Sequence, residues 1–275
     1  MELAAYFIAV LIGISLGLIG GGGSILTVPV LVYMLHVDPL VATTYSLFIV
    51  GITSLVGGAR AYTRRLVDFR AVSLFGIPSI LAIFIARHFI LPAIPEYIFS
   101  FGNISVTKGV LLMVVFAVLM FLASLSMIRK ERTSPEDEAG ESGVTALHLK
   151  TEPNLWLILP GLAIGLLTGL LGAGGGFLII PTLVLIIRMP MKTAVGTSLI
   201  IIAINSIFGF VFSLNQYYLD WSLMLIFTVL AIAGIFIGTK LSEKIPGETL
   251  RRGFGWFVLV MGIYILLREL IFVPS

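Results

Sequence analysis

The chain has 275 residues, of which 59% are hydrophobic and only 11% charged, against roughly 25% charged in an ordinary soluble domain. Mean hydropathy is +1.12 and the formal net charge is +3. This composition excludes a soluble globular enzyme, a nucleic-acid binder and a disordered chain, and the pI near 9.2 carries no argument for a polyanionic partner.

There is no cysteine, so disulfides and thiolate metal sites are ruled out. The chain opens Met1-Glu2-Leu3 without a basic stretch, and its first apolar run is therefore expected to stay as a membrane helix rather than leave as a signal peptide.

A transmembrane helix needs about 20 mostly apolar residues. In chain order the apolar runs are Leu3–Ile19, Ser24–Leu35, Val41–Ala59, Ala71–Phe89, Thr107–Ile128, Leu155–Leu171, Phe177–Ile187, Thr193–Leu214, Trp221–Thr239 and Gly253–Ile271. Eight are long enough to cross a bilayer. The other two, Ser24–Leu35 and Phe177–Ile187, would reach only about 16–18 Å as helices. Each follows a glycine cluster, Gly20-Gly21-Gly22-Gly23 in one case and Gly172-Ala173-Gly174-Gly175-Gly176 in the other. Whether these short segments cross or re-enter is open at this point.

The one hydrophilic stretch, Arg129–Pro153, mixes Glu131, Glu136, Asp137, Glu138, Glu141 and Glu152 with Arg129, Lys130, Arg132 and Lys150. It reads as a flexible linker. The expected organisation is a transmembrane repeat over 1–128, a cytoplasmic linker over 129–153 and a second transmembrane repeat over 154–275.

A shift of 152 residues aligns the halves without a gap. Gly13, Gly17, Leu18, Gly20, Gly22 and Gly23 fall on Gly165, Gly169, Leu170, Gly172, Gly174 and Gly175. Leu26 and Pro29 fall on Leu178 and Pro181, Ser46 on Ser198, Ser54 on Ser206 and Asp68 on Asp220. Between Ile12 and Ile85 there are 24 identities in 74 positions. Shared apolar composition inflates such a count, but it does not bring glycine clusters, prolines and aspartates into register together.

Orientation follows from Lys and Arg alone. Arg60, Arg64, Arg65 and Arg70 lie in a loop whose counterpart around Ser213–Asp220 has no basic residue. Arg188 and Lys192 lie where the first half, at His36–Leu40, has none. Basic residues thus sit on opposite members of matched loops, so each half makes an odd number of crossings and the repeats are inverted. With Arg60–Arg70 in the cytoplasm, 14 of the 17 basic residues fall inside. Arg87, Lys108 and Arg268 fall outside, together with both termini.

Four consecutive glycines make poor membrane helix, at roughly 1 kcal/mol each against alanine. Unwound backbone at membrane depth survives only when buried in protein or lining a cavity. Gly13-x-x-x-Gly17 and Gly165-x-x-x-Gly169 read instead as close helix packing. A helix restarting after a break carries free N–H groups and roughly half a positive charge, which suits an anion. Two such ends from inverted repeats would meet near the bilayer midplane, where repeat-built transporters hold substrate.

The candidate substrate-binding set is accordingly Gly20, Gly21, Gly22, Gly23, Ser24, Gly172, Gly174, Gly175 and Gly176. Hydroxyls from Thr43, Thr44, Ser46, Thr197 and Ser198 add to it, with Asn205 deeper in its run. Helix capping and interhelical hydrogen bonding are the competing roles for these polar groups. Asp68 and Asp220 read as caps of the following helices, with coupling-ion binding as the alternative.

No Asp, Glu, Lys, Arg or His falls in the middle of any run, which weighs against a carboxylate proton relay. No catalytic constellation, metal site or cofactor motif is present, and the glycine clusters lack the Lys-Ser/Thr of a nucleotide-binding loop.

The sequence Gly172–Gly176, then Pro181-Thr182-Leu183, then Ala194-Val195-Gly196-Thr197-Ser198-Leu199, resembles the TauE/SafE family of sulfite exporters. Gly20–Gly23, Pro29-Val30-Leu31 and Ala42–Leu47 repeat the pattern, and Asp68 and Asp220 resemble the family's aspartate-aromatic turn. One departure is Thr44-Tyr45-Ser46, where the second half keeps Gly-Thr-Ser.

The resemblance implies an all-α integral membrane carrier that exports sulfur-containing anions such as sulfite, sulfonates or sulfoacetate. Its partners would be the lipid bilayer of the cell membrane and a small anion, not nucleic acid. A coupling ion (H+ or Na+) and a homo-oligomer are compatible with this reading. A passive anion channel and a non-transporting membrane scaffold subunit are the alternatives.

Overall fold

The structure, a computed structural model, describes residues 2–101, 104–128, 157–172, 174–214, 216–242 and 247–271. The expected linker over 129–153 lies outside the described residues, as does Ala173. The first half comprises α1 (Glu2–Ile19), a 3-10 segment (Gly21–Leu26), α2 (Thr27–Leu35), α3 (Pro39–Thr63) and α4 (Phe69–Ile85). A π-helical turn (Ala86–Ile90) carries α4 into the single turn α5 (Leu91–Ala93), and α6 (Lys108–Ile128) follows. The second half comprises α7 (Ile158–Leu171), α8 (Gly176–Ile187), α9 (Met191–Val211), α10 (Trp221–Leu241) and α11 (Gly247–Ile271).

Local chemistry sets these boundaries. Asp38 Oδ1 accepts from the N–H groups of Leu40 (2.9 Å) and Val41 (3.3 Å), and Pro39 occupies the first turn of α3. Asp68 Oδ1 accepts from Arg70 (2.8 Å) and Ala71 (3.1 Å), and Asp220 Oδ1 from Leu223 (3.1 Å). The capping role expected of these two aspartates is the one they take.

The helix breaks also fall where the glycines are. α1 stops at Gly20, with φ +73° and ψ −125°, and α7 stops at Gly172, with φ +68°. Gly174 and Gly175 are left-handed as well, at φ +65° and +67°. These conformations are easy only for glycine. The two breaks differ in form. In the first half the chain resumes at once as a 3-10 turn, and in the second a glycine turn leads straight into α8.

Five described helical spans are long and apolar enough to cross a membrane: Pro39–Thr63, Phe69–Ala93, Lys108–Leu125, Met191–Val211 and Trp221–Leu241. Ala5–Ile19, Gly21–Leu35 and Ile158–Leu171 are shorter apolar helices. Large apolar side chains including Phe7, Ile77, Leu159 and Val229 point outward, as a lipid-facing surface requires and a water-facing one does not tolerate over such an area.

The expectation of a wholly helical chain needs one amendment. Strands β1 (Tyr97–Phe101) and β2 (Ile104–Thr107) form an antiparallel hairpin between α5 and α6. Apart from Ser100 and Ser105 its residues are aromatic or β-branched, and the sequence between the strands is Gly102-Asn103, residue types that favour turns.

Helices pack as α1 on α10, α4 on α7, α3 on α9 and α6 on α11. Glycines permit the closest approaches. Gly13 lies against the backbone of Ala231, and Gly165 against that of Ser79. Gly17 meets Ile235, and Gly169 meets Ile83. Gly57 meets Leu199 and Ile235, and Gly209 meets Leu47 and Ile83. In every pair of contacts a shift of 152 residues turns one into the other.

Gly76 in α4 is the opposite case, since a β-carbon there would meet nothing within 4 Å. Gly76→Ala should therefore gain helix propensity of about 1 kcal/mol. The thermal unfolding midpoint in detergent should rise by about 2–4 °C, and a fall would show that α4 is packed more tightly there than described.

Candidate functional site

The two glycine clusters meet at the centre of the bundle. Gly21 and Gly176 stand back to back, so that a β-carbon on either would strike the backbone of the other. Gly20 lies beside Val195, Ile180 and Ser198, and Gly23 against Ile12 and Leu16 of α1. Gly22 is buried in the 3-10 turn. Gly172 packs on the backbone and Cβ of Thr43. Gly174 places its missing β-carbon 3.1 Å from Ser206 Oγ, and Gly175 faces Thr168 Oγ1.

The polar residues expected here divide by what their atoms already do. Ser24 Oγ donates to Gly21 O (2.7 Å) and Ser198 Oγ to Val195 O (2.8 Å), so both hydroxyl protons are committed. Thr197 Oγ1 accepts from the Asp68 N–H at 3.0 Å. At the matched position in the first half, the Tyr45 hydroxyl accepts from the Asp220 N–H at 2.6 Å. The departure at Tyr45 thus performs the same task with a longer side chain. Asn205 Nδ2 donates to Ser79 Oγ at 2.6 Å.

What remains is a set of buried polar atoms with no hydrogen-bond partner among the described residues: Thr27 Oγ1, Ser46 Oγ, Ser54 Oγ, Thr168 Oγ1, Asn205 Oδ1 and Ser206 Oγ. Of these, Ser206 and Thr168 touch the second glycine cluster directly. Ser54 and Ser206 occupy matched positions in the two halves.

Thr43 and Thr44 belong to a different arrangement. Arg87 Nη2 donates to Thr43 Oγ1 (3.1 Å), and Arg87 Nη1 donates to Thr44 Oγ1 (3.1 Å) and Ser213 Oγ (3.0 Å). The three hydroxyls pass their own protons to backbone carbonyls, those of Thr43 and Thr44 to Leu40 (2.7 and 3.4 Å) and that of Ser213 to Gly209 (2.9 Å). Arg87 is fully buried.

Sequence reading set Arg87 among the exterior basic residues at a run's end and found no basic side chain inside the spans. That picture is corrected, because the span runs on to Ala93 and Arg87 lies within it. The available signal was Ile90-Leu91, which extends the apolar run past Arg87. The hydroxyl partners lie 43, 44 and 126 residues away in sequence and gave no local sign. Nearby, Gln216 Nε2 donates to Arg87 O at 3.4 Å. Burial pushes the Tyr217 phenol above its ordinary pKa, against the opposing pull of the Arg87 charge, so Tyr217 stays protonated.

No group of His, Asp and Glu among the described residues could hold a metal ion.

Comparison with known proteins matches residues 5–265 to the family described as "Sulfite exporter TauE/SafE". A "probable membrane transporter protein" of Xylella fastidiosa is 31% identical over 94% of this chain and 92% of the relative. Proteins of the same description are 27% identical in Bacillus subtilis, over 96% of this chain and 95% of the relative, and 26% identical in Methanocaldococcus jannaschii, over 94% and 92%. No solved structure matches. A chain with stacked apolar helices, matched along almost its whole length to membrane transporters, is a multi-pass membrane protein, and it belongs to the TauE/SafE sulfite exporter family.

Proposed function

We propose that the chain is a secondary transporter that exports small sulfur-containing anions, such as sulfite, sulfonates or sulfoacetate, across the cell membrane by alternating access of two inverted repeats. The observation that carries this reading is the set of buried, unpartnered polar atoms, of which Thr168 Oγ1 and Ser206 Oγ lie against the second glycine break. Leaving a buried polar group unpaired costs about 1–3 kcal/mol. Two such groups at one helix break suit a site whose partners arrive with a ligand. Backbone N–H groups of Gly20–Gly23 and Gly174–Gly176 supply the anion's first contacts, whereas the Gly172 N–H is held by Thr168 O at 2.9 Å and must first be released. Ser46 retains an unpartnered hydroxyl for it, Asn205 can reach it only through its amide N–H because its unpartnered Oδ1 is an acceptor, and Ser24, Thr43 and Ser198 must first release their internal bonds.

The inverted arrangement draws support from the paired contacts. Gly13 on Ala231 and Gly165 on Ser79 exchange under the 152-residue shift, as an approximate two-fold rotation between halves requires. Basic residues sorted to opposite members of matched loops put that axis in the membrane plane. The linker then lies in the cytoplasm and both termini outside. Rocking one repeat against the other about the Gly21–Gly176 contact exposes the site alternately.

The test is flux from liposomes holding purified protein. Saturable efflux of sulfite or a sulfonate is expected, with a loss of tenfold or more in Gly175→Leu, whose side chain would fill the space at Thr168. Absence of saturable flux for sulfite, methanesulfonate and sulfoacetate would sink the reading, and unitary currents would replace it with a channel.

A further inference from the structure

The Arg87 cluster has a chemistry that neither the family description nor the glycine site accounts for. Taking a guanidinium out of water costs several kcal/mol unless it is compensated, and a buried arginine normally finds a carboxylate. Among the described residues, Arg87 donates only to three neutral hydroxyl oxygens. Among the described residues its Nε–H has no partner, and one Nη2–H is likewise unused. The hydroxyls solvate the charge without cancelling it.

The surroundings lead outward. A surface cleft of about 240 Å3 is lined by Leu91, Pro92, Lys108, Gln216 and Tyr217. Gln216 bonds the Arg87 carbonyl, and Tyr217 is close enough to feel the Arg87 charge. The acids at this end are engaged elsewhere, with Asp38 capping α3 and Glu96 beside Lys108. Arg87 also sits on the π-helical turn, a local widening that recurs at functional sites. Inward, the link is a single residue, since Thr43 accepts from Arg87 and packs on Gly172.

We propose that Arg87 is an anion-recognising group of the transporter, binding a trigonal or tetrahedral oxyanion that enters through the Lys108–Tyr217 cleft and handing it on to the glycine breaks. The inference rests on the anion-carrier reading and adds a charged recognition element to it. A planar fork with spare N–H donors suits an anion offering two oxygens. Lys108 at the mouth raises local anion concentration by its charge.

A purely structural arginine, tying α3, the π turn and the end of α9 together, is the competing role. The two separate on affinity. Sodium sulfite is titrated against wild type, Arg87→Lys, Arg87→Gln and Lys108→Gln, reading both thermal protection in detergent and efflux from liposomes. Arg87→Gln should raise the half-saturating sulfite concentration at least tenfold, with Arg87→Lys in between and Lys108→Gln shifted less.

Where Arg87→Gln does not fold, Arg87→Lys and Lys108→Gln carry the test. Wild-type flux with half-saturation unchanged in the folded variants overturns this inference alone and leaves the carrier reading standing. Absence of saturable binding and flux in wild type for sulfite, methanesulfonate and sulfoacetate alike overturns both.

Discussion

Gly21→Leu is expected to abolish saturable anion flux and to lower the thermal unfolding midpoint by about 10 °C. The backbone φ of Gly21 lies outside the left-handed region, so the cost is steric and not conformational. Its β-carbon would run into the backbone of Gly176, and backbone cannot swing aside as a side chain can. Overpacking costs typically about 1–3 kcal/mol and more when the obstacle is rigid. For a chain of this size that corresponds to roughly 2–4 °C per kcal/mol. Gly21→Ala should move both readouts in the same direction by less. A Gly21→Leu protein with wild-type midpoint and flux would mean that the two glycine clusters are not in contact.

Gly165→Val should cost nearly as much stability, and Gly13→Val should match it. Each would drive a branched side chain into the backbone of the facing helix, Ser79 for Gly165 and Ala231 for Gly13. In lipid, helix association depends on this kind of close contact more than on hydrophobic transfer. A loss of about 3 kcal/mol is expected for either variant, read as the free energy of unfolding in mixed detergent micelles. If one variant were tolerated and the other not, the two halves would not be packed alike. The double variant should be close to additive, because the positions share no neighbour.

The elements that sequence alone could locate are those governed by short-range chemistry. Gly20 and Gly172 broke their helices because four or five small residues cannot hold one, whatever surrounds them. Asp68 and Asp220 capped because an aspartate immediately before a helix finds the free N–H groups of its first turn. The internal repeat was legible because matched glycines, prolines and aspartates carry positional information that leucines do not.

Long-range polar pairing was not legible. Nothing near Tyr45 says that its hydroxyl will hold the N–H of Asp220, 175 residues away. Arg87 was misplaced for a related reason. Counting basic residues assigns each to a side of the membrane but says nothing of depth, and three hydroxyls, two on α3 and one in the turn after α9, decided that this one could be buried. The hairpin at Tyr97–Thr107 was lost inside a loop because strands of four or five residues leave little periodicity to read.

One asymmetry between the halves reaches beyond the site itself. The 152-residue shift carries Arg87 onto Thr239, whose hydroxyl merely donates to Ile235 O one helical turn back, at 2.6 Å. An anion carrier with a cation at only one of its two gates cannot grip its cargo equally on both faces. On the role proposed for Arg87, it would load at lower concentration from the Arg87 side. Microscopic reversibility fixes the rest. In an uncoupled cycle the unequal affinities are balanced by a conformational equilibrium that differs between the loaded and the empty carrier, and net movement still follows the gradient. The guanidinium would therefore decide which gate stands occupied at rest, while the direction of travel is set by whatever else the cycle carries.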